Sequence, residues 1–278
     1  MKYLSFRRPD GTPTFGRLEG DRVVDLGTGC LASADLKTAL AHGVLAELPA
    51  GPSYTLAEVT LLPVLPNPAK VFCVGHNYES HRQETGRAKV EHPSIFTRFA
   101  DTLVAHGQPL VRPQLSTSFD FEGELAVVIG RGGRAISKER ALDHVAGYAC
   151  FNDASVRDFQ WHTSQFTPGK NFPGTGGFGP WLVTPDEAGD LTAVHVTTRL
   201  NGEVVQDQPI GDMIFPIAEV IAYISAFTPL APGDVIATGT PGGVGAKRVP
   251  PLWLKAGDRI EVAIGPVGTL VQRVIDEG

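Results

Sequence analysis

Cysteine and long apolar runs are both scarce in this sequence of 278 residues. The three cysteines, Cys30, Cys73 and Cys150, form no CxxC pair and have no zinc-ligand spacing. We therefore expect buried thiols in a reducing compartment rather than disulfides or a zinc site. No apolar run approaches the roughly 18 residues that a membrane span needs, and the first residues contain no signal-peptide core. The sequence thus predicts no membrane partner and a cytoplasmic location.

Charge is also sparse. Charged residues make up 19% of the chain, the net charge is −6, and no run of five like charges occurs. Nucleic-acid binding depends on a basic surface that displaces counterions from phosphates. Because the acids outnumber the bases and no basic block exists, we expect no nucleic-acid partner.

Turn-forming residues are abundant. The chain has 32 glycines and 22 prolines, about a fifth of its length, where average usage is about 12%. This density excludes a helical bundle and favours short strands joined by functional loops. The hydrophobic fraction of 42% is ordinary for a globular protein and provides for a sizeable core.

The first part of the chain is predicted to be a small α+β domain. Residues 2–25 alternate like a strand meander, and a short helix follows over 34–42 with Ser33 as its N-cap. Three prolines within 63–68 indicate a connection between two units. We place the boundary at residue 66, which divides the chain into domains 1–66 and 67–278.

The second domain is predicted to be mostly strand. Asn201-Gly202 lies between two β-branched runs and is the strongest hairpin signal in the chain. Helices are predicted over 137–144, 153–162 and 216–227. The fold class is therefore a β-rich α+β protein. Its predicted strands are KVFCVG, GELAVVIG, VAGYACF, VHVTTRL, VIATG, RIEVAI and TLVQRVI.

Acidic side chains interrupt two otherwise apolar strands. Glu122 and Glu124 are two apart in FDFEGELAVVIG and share one face of a strand. Asp153 ends the strand VAGYACFND, where it either joins the acidic group or caps a helix. Neighbouring carboxylates are tolerated in solvent, as on an exposed edge strand, or around a cation of the hard kind, such as Mg²⁺ or Mn²⁺.

A second polar motif, VGHNYESHRQETG, follows the strand KVFCVG. If this segment is helical, His81 and Glu84 at positions i and i+3 share a face. A carboxylate that orients an imidazole is a common general base near neutral pH. Two unrelated surface residues would have the same spacing, and both alternatives stay open on these residues alone.

Glycine-rich segments resemble phosphate loops only superficially. GRGGRA at 130–135 fits the dinucleotide pattern, but the strand before it carries two glutamates and its helix begins late, so we expect no dinucleotide cofactor. TGTPGGVG at 238–245 lacks the lysine of a phosphate loop, and can instead present Thr240 and backbone amides to a carboxylate or oxyanion. Lys170 lies in the polar stretch QFTPGKNFPG, where solvation is its default interpretation.

Six motifs occur in a definite order across the chain: VGHNYESH, FEGELAVVIG, GYACFNDASVRDFQ, GKNF, a D-M-I-F segment at 212–215, and VIATGTPGGVG. This ordered set resembles the fumarylacetoacetate hydrolase family over residues 70–275. The resemblance implies a mixed β-sandwich roll with a small N-terminal domain, and a homodimer.

The resemblance also implies a site. Mg²⁺, or alternatively Mn²⁺, would be held by Glu122, Glu124 and Asp153, and His81 with Glu84 would be a catalytic dyad. The remaining residues carried over by motif are the catalytic Lys170 and the substrate-binding Arg157, Gln160 and Thr240.

Three departures from the family pattern concern the pocket. His76 stands where relatives commonly have leucine, and Arg98 stands where lysine is frequent. We interpret Arg98 as a fixed cation for a second substrate carboxylate. The loop GKNFPGTGG lacks the usual aspartate, so the substrate preference of relatives does not transfer directly.

The expected function is metal-dependent hydrolysis of a C–C bond in an acylpyruvate-type 2,4-dioxo acid, with water activated by His81 and Glu84. The alternatives within the family are oxaloacetate decarboxylation and isomerisation or hydration of oxo-dienoates. An alternative of another class is a homologue that binds a carboxylate or a metal without turnover. The expected partner in each catalytic case is a small 2-oxo acid.

Overall fold

The computed structural model of the protein describes residues 1–29 and 35–278. Cys30 and the predicted N-cap Ser33 lie outside the described residues. Within the described residues, Asp35 caps the first helix, because its side chain accepts a hydrogen bond from the backbone amide of Thr38.

Strands dominate the described residues. The strands are β1 (Lys2–Arg7), β2 (Pro13–Glu19), β3 (Arg22–Asp25), β4 (Ser53–Thr55), β5 (Thr60–Leu61), β6 (Val71–Gly75), β7 (Ser94–Arg98), β8 (Leu103–Val104), β9 (Leu110–Arg112), β10 (Phe119–Asp120), β11 (Gly123–Ile129), β12 (Val145–Asp153), β13 (Ser155–Val156), β14 (Gly176–Val183), β15 (His195–Leu200), β16 (Glu203–Pro209), β17 (Val235–Ala237), β18 (Arg259–Ile264) and β19 (Gly268–Asp276).

Helices are short. The α-helices are α1 (Leu36–His42), α2 (Glu79–Glu84), α3 (Arg157–Gln160), α4 (Thr167–Lys170), α5 (Pro185–Ala188) and α6 (Ile217–Phe227). The longest of these, α6, has 11 residues. Among the described residues no helix has the length and apolar character needed to cross a membrane. The 3₁₀ turns include Lys138–His144 and Gly245–Lys247.

One large sheet runs through the described residues in the order β4-β3-β2-β1-β14-β12-β11-β17-β6-β7. Most neighbours are antiparallel, but β17 and β6 are parallel. The strand β1 pairs with β14 through Lys2↔Val183 and Tyr3↔Leu182. The N-terminal strands therefore continue the main sheet, and the predicted boundary at residue 66 does not coincide with a break in it.

A second sheet, ordered β16-β15-β18-β19-β9, packs on the first. The position of the central strand β11 explains why its sequence is uniformly apolar after Glu124. Leu125 and Val127 face the core shared with the second sheet, whereas Ala126 and Val128 face the core shared with the N-terminal strands. Both faces of β11 are buried, and this mixed, strand-rich α+β architecture is the predicted fold class.

Of the predicted local elements, one hairpin is confirmed and one helix is partly wrong. The hairpin at Asn201-Gly202 is confirmed, with both residues at positive φ between β15 and β16. The helix predicted over 153–162 is wrong in its first half, because Asp153 is the last residue of β12 and pairs with Gly176 of β14. Only Arg157–Gln160 is helical there.

Candidate active site

Three buried carboxylates meet at one end of the large sheet. One oxygen each from Glu122, Glu124 and Asp153 lies within 4.8 Å of the others. The exposed fractions of the three residues are 5%, 2% and 0%. The alternative of an exposed edge strand is therefore excluded, since β11 lies between β12 and β17.

The register of two strands produces this cluster. β11 and β12 are antiparallel, with Gly123 opposite Asn152, so the residue before β11 lies beside the last residue of β12. The amide of Asp153 donates to the carbonyl oxygen of Glu122 at 2.9 Å. Because strand side chains alternate, Glu122 and Glu124 point to the same face and converge with Asp153.

Buried cations neutralise two of the three carboxylates. The ammonium of Lys170 lies 2.7 Å from Glu122 Oε2 and 2.6 Å from Asp153 Oδ2. Arg98 pairs with Asp153 and also donates to the carbonyl oxygen of Ala154. Lys170 is 1% exposed, so its default interpretation as a solvated lysine is wrong. A short helix places this lysine, and no local pattern in its sequence signals the burial.

Glu124 is the unbalanced member of the cluster. Among the described residues it has no ion-pair partner, and its carboxylate accepts a hydrogen bond from the amide of Gly239 at 2.8 Å. Burial, with the nearby charges of Asp153 and Glu122, raises the pKa of Glu124 well above its ordinary value. Burial also acts to raise the pKa of Glu122, but the charges of Lys170 and Arg157 outweigh it and lower that pKa.

This donor set fits a hard divalent cation. Carboxylate oxygens are the ligands that Mg²⁺ and Mn²⁺ prefer, and the uncompensated charge on Glu124 is what such an ion would neutralise. Glu122, Glu124 and Asp153 are the residues that would hold it. The fit supports the predicted class of metal and does not distinguish Mg²⁺ from Mn²⁺.

The predicted dyad forms on helix α2. His81 Nδ1 lies 2.7 Å from Glu84 Oε1, and the amide of Gly243 donates to Glu84 Oε2 at 2.9 Å. His81 is 5% exposed and lines the cavity above the carboxylates. The carboxylate orients the imidazole and assigns the proton to Nδ1, which leaves Nε2 as the nitrogen that can accept a proton.

The glycine-rich segment 238–245 binds the protein's own acids. Its amides donate to Glu124 and Glu84, as described. The amides of Gly245 and of the next residue, Ala246, donate to Asp120 at 2.8 and 3.0 Å. The Thr240 hydroxyl donates to the carbonyl oxygen of Gly123 at 2.9 Å. Thr240 lines the cavity, but its hydroxyl proton is already used in the hydrogen bond to Gly123.

A further buried acid, Asp120, is absent from the sequence prediction. Arg157 donates to it from Nε at 2.8 Å, while the Nη2 of the same guanidinium lies 2.6 Å from Glu122 Oε1. Arg157 Nη1 also donates to Gln160 Oε1 at 2.8 Å. The alternation Asp120, Glu122, Glu124 in the sequence was the signal that could have identified Asp120 as part of the same face.

The cavity brings most predicted residues together. Three others do not line it: Glu84 contacts His81, Asp153 is a member of the carboxylate cluster, and Arg98 pairs with Asp153. Arg98 has a fully buried side chain that donates to Asp153, so it is not placed to bind a substrate carboxylate. The predicted residues that line the cavity are His81, Glu122, Glu124, Arg157, Gln160, Lys170 and Thr240.

His76, one of the departures from the family pattern, also lines this cavity. Its ring stacks on His81 with centroids 5.2 Å apart and an interplanar angle of 18°, and it makes a T-shaped contact with Phe166. Its φ is 55°, which a non-glycine residue rarely adopts. Burial, followed by the charges of His81 and Arg87, lowers the pKa of His76 to about 4.

The order of the six motifs and this site agree with the comparisons to known proteins. Residues 70–275 match the family model for the C-terminal domain of fumarylacetoacetate (FAA) hydrolase. The chain therefore belongs to the fumarylacetoacetate hydrolase family.

The similar proteins include tautomerases and an isomerase. Oxaloacetate tautomerase YisK of Bacillus subtilis is 43% identical over 80% of this chain and 75% of its own length. The human mitochondrial oxaloacetate tautomerase FAHD2A is 40% identical over 84% of this chain and 74% of its own. A crystal structure of 2-hydroxyhepta-2,4-diene-1,7-dioate isomerase from Mycobacterium marinum has a TM-score of 0.82 and 31% identity, over 100% of this chain and 99% of that one.

Proposed function

We propose that this protein is a metal-dependent enzyme that interconverts the keto and enol forms of a small 2-oxo acid, with oxaloacetate as the first substrate to test. The observation that carries the proposal is the placement of an oriented imidazole, His81, in the same cavity as a buried carboxylate cluster and a buried lysine. The names of the similar proteins favour this isomerase-type alternative over the predicted C–C hydrolysis.

The protein's own groups can carry the proton transfer. His81 Nε2 accepts a proton from C3 of the substrate while Glu84 stabilises the charge that develops on the imidazole. The electron pair of the broken C–H bond forms the C2–C3 double bond and moves negative charge onto the C2 oxygen. That oxygen takes up a proton from solvent while the His81 imidazolium releases its proton to solvent, and the enol results with no co-reactant consumed.

Buried cations stabilise the charge on that oxygen. Asp153 and Glu122 raise the pKa of Lys170 against the effect of burial, so the lysine stays an ammonium ion. A divalent ion, when bound, supplies Lewis-acid stabilisation of the enolate. Gln160 and Arg157, which hydrogen bond to each other at the cavity wall, are placed to orient the substrate.

The test measures exchange of the C3 protons of oxaloacetate with D₂O by NMR, with Mg²⁺ and with EDTA, and identifies products by mass. We expect metal-dependent exchange that is faster than in buffer, and a fall of about 10²–10⁴-fold in His81→Asn. Exchange equal to the buffer rate in the metal-loaded protein would disprove the proposal.

Hydrolysis is the second candidate, because the same dyad can activate water. Acetylpyruvate and fumarylpyruvate belong in the same panel. Conversion of either one to pyruvate and an acid would establish the hydrolase, and release of CO₂ from oxaloacetate would establish a decarboxylase. Metal-dependent binding with no product would indicate the non-catalytic alternative. The homodimer and the cytoplasmic location stay predictions, and light scattering tests the first.

A further inference from the structure

We propose that Arg87 and Lys247 form an anion-binding subsite at the mouth of the cavity, which selects 2-oxo acids that carry a second carboxylate. This inference rests on the proposed function and specifies the part of the substrate that the outer half of the cavity binds. Both residues line the cavity, and both are exposed, in contrast to the buried groups at its inner end.

The first argument is that, among the described residues, no acidic side chain pairs with either of these two cations. In the described part of the chain, no hydrogen bond or ion pair involves the Arg87 guanidinium or the Lys247 ammonium. Arg87 follows helix α2, which carries the dyad, and Lys247 ends the 3₁₀ turn whose amides bind Asp120. Two separate elements of the site therefore each place a free cation at its entrance.

The second argument is the charge balance of the inner half. Three buried cations, Arg98, Arg157 and Lys170, are paired with carboxylates there. The carboxylates around them exceed them by two charges, and are Glu84, Asp120, Glu122, Glu124 and Asp153. A divalent ion on the cluster would bring the inner half to neutrality. Arg87 and Lys247 at the mouth then give the whole cavity a net charge of about +2. This charge balances that of a substrate with two carboxylates.

The third argument concerns Arg98, the cation that the sequence analysis assigned to a second carboxylate. Its side chain is fully buried against Asp153 and does not line the cavity. Arg87 is positioned for that task instead, since a guanidinium binds a carboxylate through paired donors. Arg87 lines the same cavity as His76 and His81.

The test uses two unreactive probes that differ only in the distal carboxylate. N-oxalylglycine carries it, whereas N-methyloxamate has a hydrogen atom in its place, and neither can enolise at the position of C3. Calorimetry in Mg²⁺ buffer measures both affinities. We expect wild type to bind N-oxalylglycine at least about tenfold more tightly.

Charge-neutral variants locate the subsite. Arg87→Gln and Lys247→Gln should each weaken N-oxalylglycine by about 5–10-fold and leave N-methyloxamate within about twofold. Lys89→Gln is the matched control, since this exposed lysine lies nearby in sequence but does not line the cavity. With oxaloacetate, the same variants should raise KM more than they change kcat, because the distal contact is equal in the ground and transition states.

The outcomes separate this inference from the proposed function. If both probes bind equally to wild type, or if both variants weaken the two probes alike, the subsite is disproved while the enolisation proposal stands. If neither probe binds in the presence of Mg²⁺, the 2-oxo acid assignment itself fails, and the subsite fails with it.

Discussion

At the residue scale, Glu124 is suited to binding a metal ion, but its buried carboxylate reduces the stability of the metal-free protein. Its pKa is raised by burial and by two neighbouring acids, so its ionised form opposes folding until a cation neutralises it. We predict that Glu124→Gln leaves the metal-free protein at least as stable as wild type and abolishes stabilisation by Mg²⁺. Wild type should gain about 2.7 kcal/mol at a Mg²⁺ concentration 100 times Kd.

Thermal unfolding with and without Mg²⁺ checks this prediction. Glu203→Gln is the control, since this exposed residue at the start of β16 does not line the cavity. A Glu124→Gln protein that still gains the full stabilisation from Mg²⁺ would show that the carboxylate cluster does not hold the ion.

The stacked ring of His76 gives a prediction about pH. Because burial lowers the pKa of His76 from 6.5 to about 4, the unfolded chain binds a proton there between these values that the folded chain does not. The free energy of unfolding should therefore fall as the pH falls through this window, and His76→Phe should reduce that slope while keeping an aromatic ring. Urea unfolding at several pH values measures the slope. An unchanged slope in the variant would mean that His76 titrates alike in both states.

At the element scale, the segment 238–246, which runs from the end of β17 into the 3₁₀ turn, organises the site. Gly243 has a φ of +106°, and a Cβ there would lie 2.2 Å from the carbonyl oxygen of Val205. We predict that Gly243→Ala displaces the amide that holds Glu84, destabilises the protein by about 1–3 kcal/mol, and lowers activity at least tenfold.

Gly257→Ala is the matched control for this substitution. Gly257 has a similar φ of +92°, but a Cβ there meets nothing within 4 Å. Unfolding curves and the exchange assay on both variants separate backbone strain from the steric contact. Equal losses of stability and activity in the two variants would contradict a special role for the Gly243 amide.

The sequence predicted which side chains share a face of one strand or helix, and it missed the contacts between elements that are distant in sequence. Alternation along β11 placed Glu122 and Glu124 on one face, and the i, i+3 spacing placed His81 beside Glu84. The burial of Lys170 and the orientation of Arg98 depend on which elements pack around them, so local pattern could not assign either. Asp153 was ambiguous between a strand end and a helix cap until its pairing with β14 was known.

At the scale of the whole molecule, the N-terminal strands and the site-bearing strands share one sheet and one core. Phe15 of β2 is fully buried in the cluster that also contains Ala126 and Phe178. We predict a single cooperative thermal transition, and we expect Phe15→Ala to lower its midpoint by removing about 3–5 kcal/mol without splitting it. Calorimetry of both proteins checks this. A separate low-temperature transition would instead support an independent domain up to residue 66.

The pairing of β1 with β14 has a consequence for biosynthesis. A ribosome completes β1 long before it makes the strand against which β1 is finally docked, some 180 residues later along the chain. During that interval the early strands must stay together by themselves. Leu4, Phe6 and Val23 form a small apolar cluster within this segment that can hold them. Docking of β1 on β14 then closes a very long loop, and such non-local pairing slows folding.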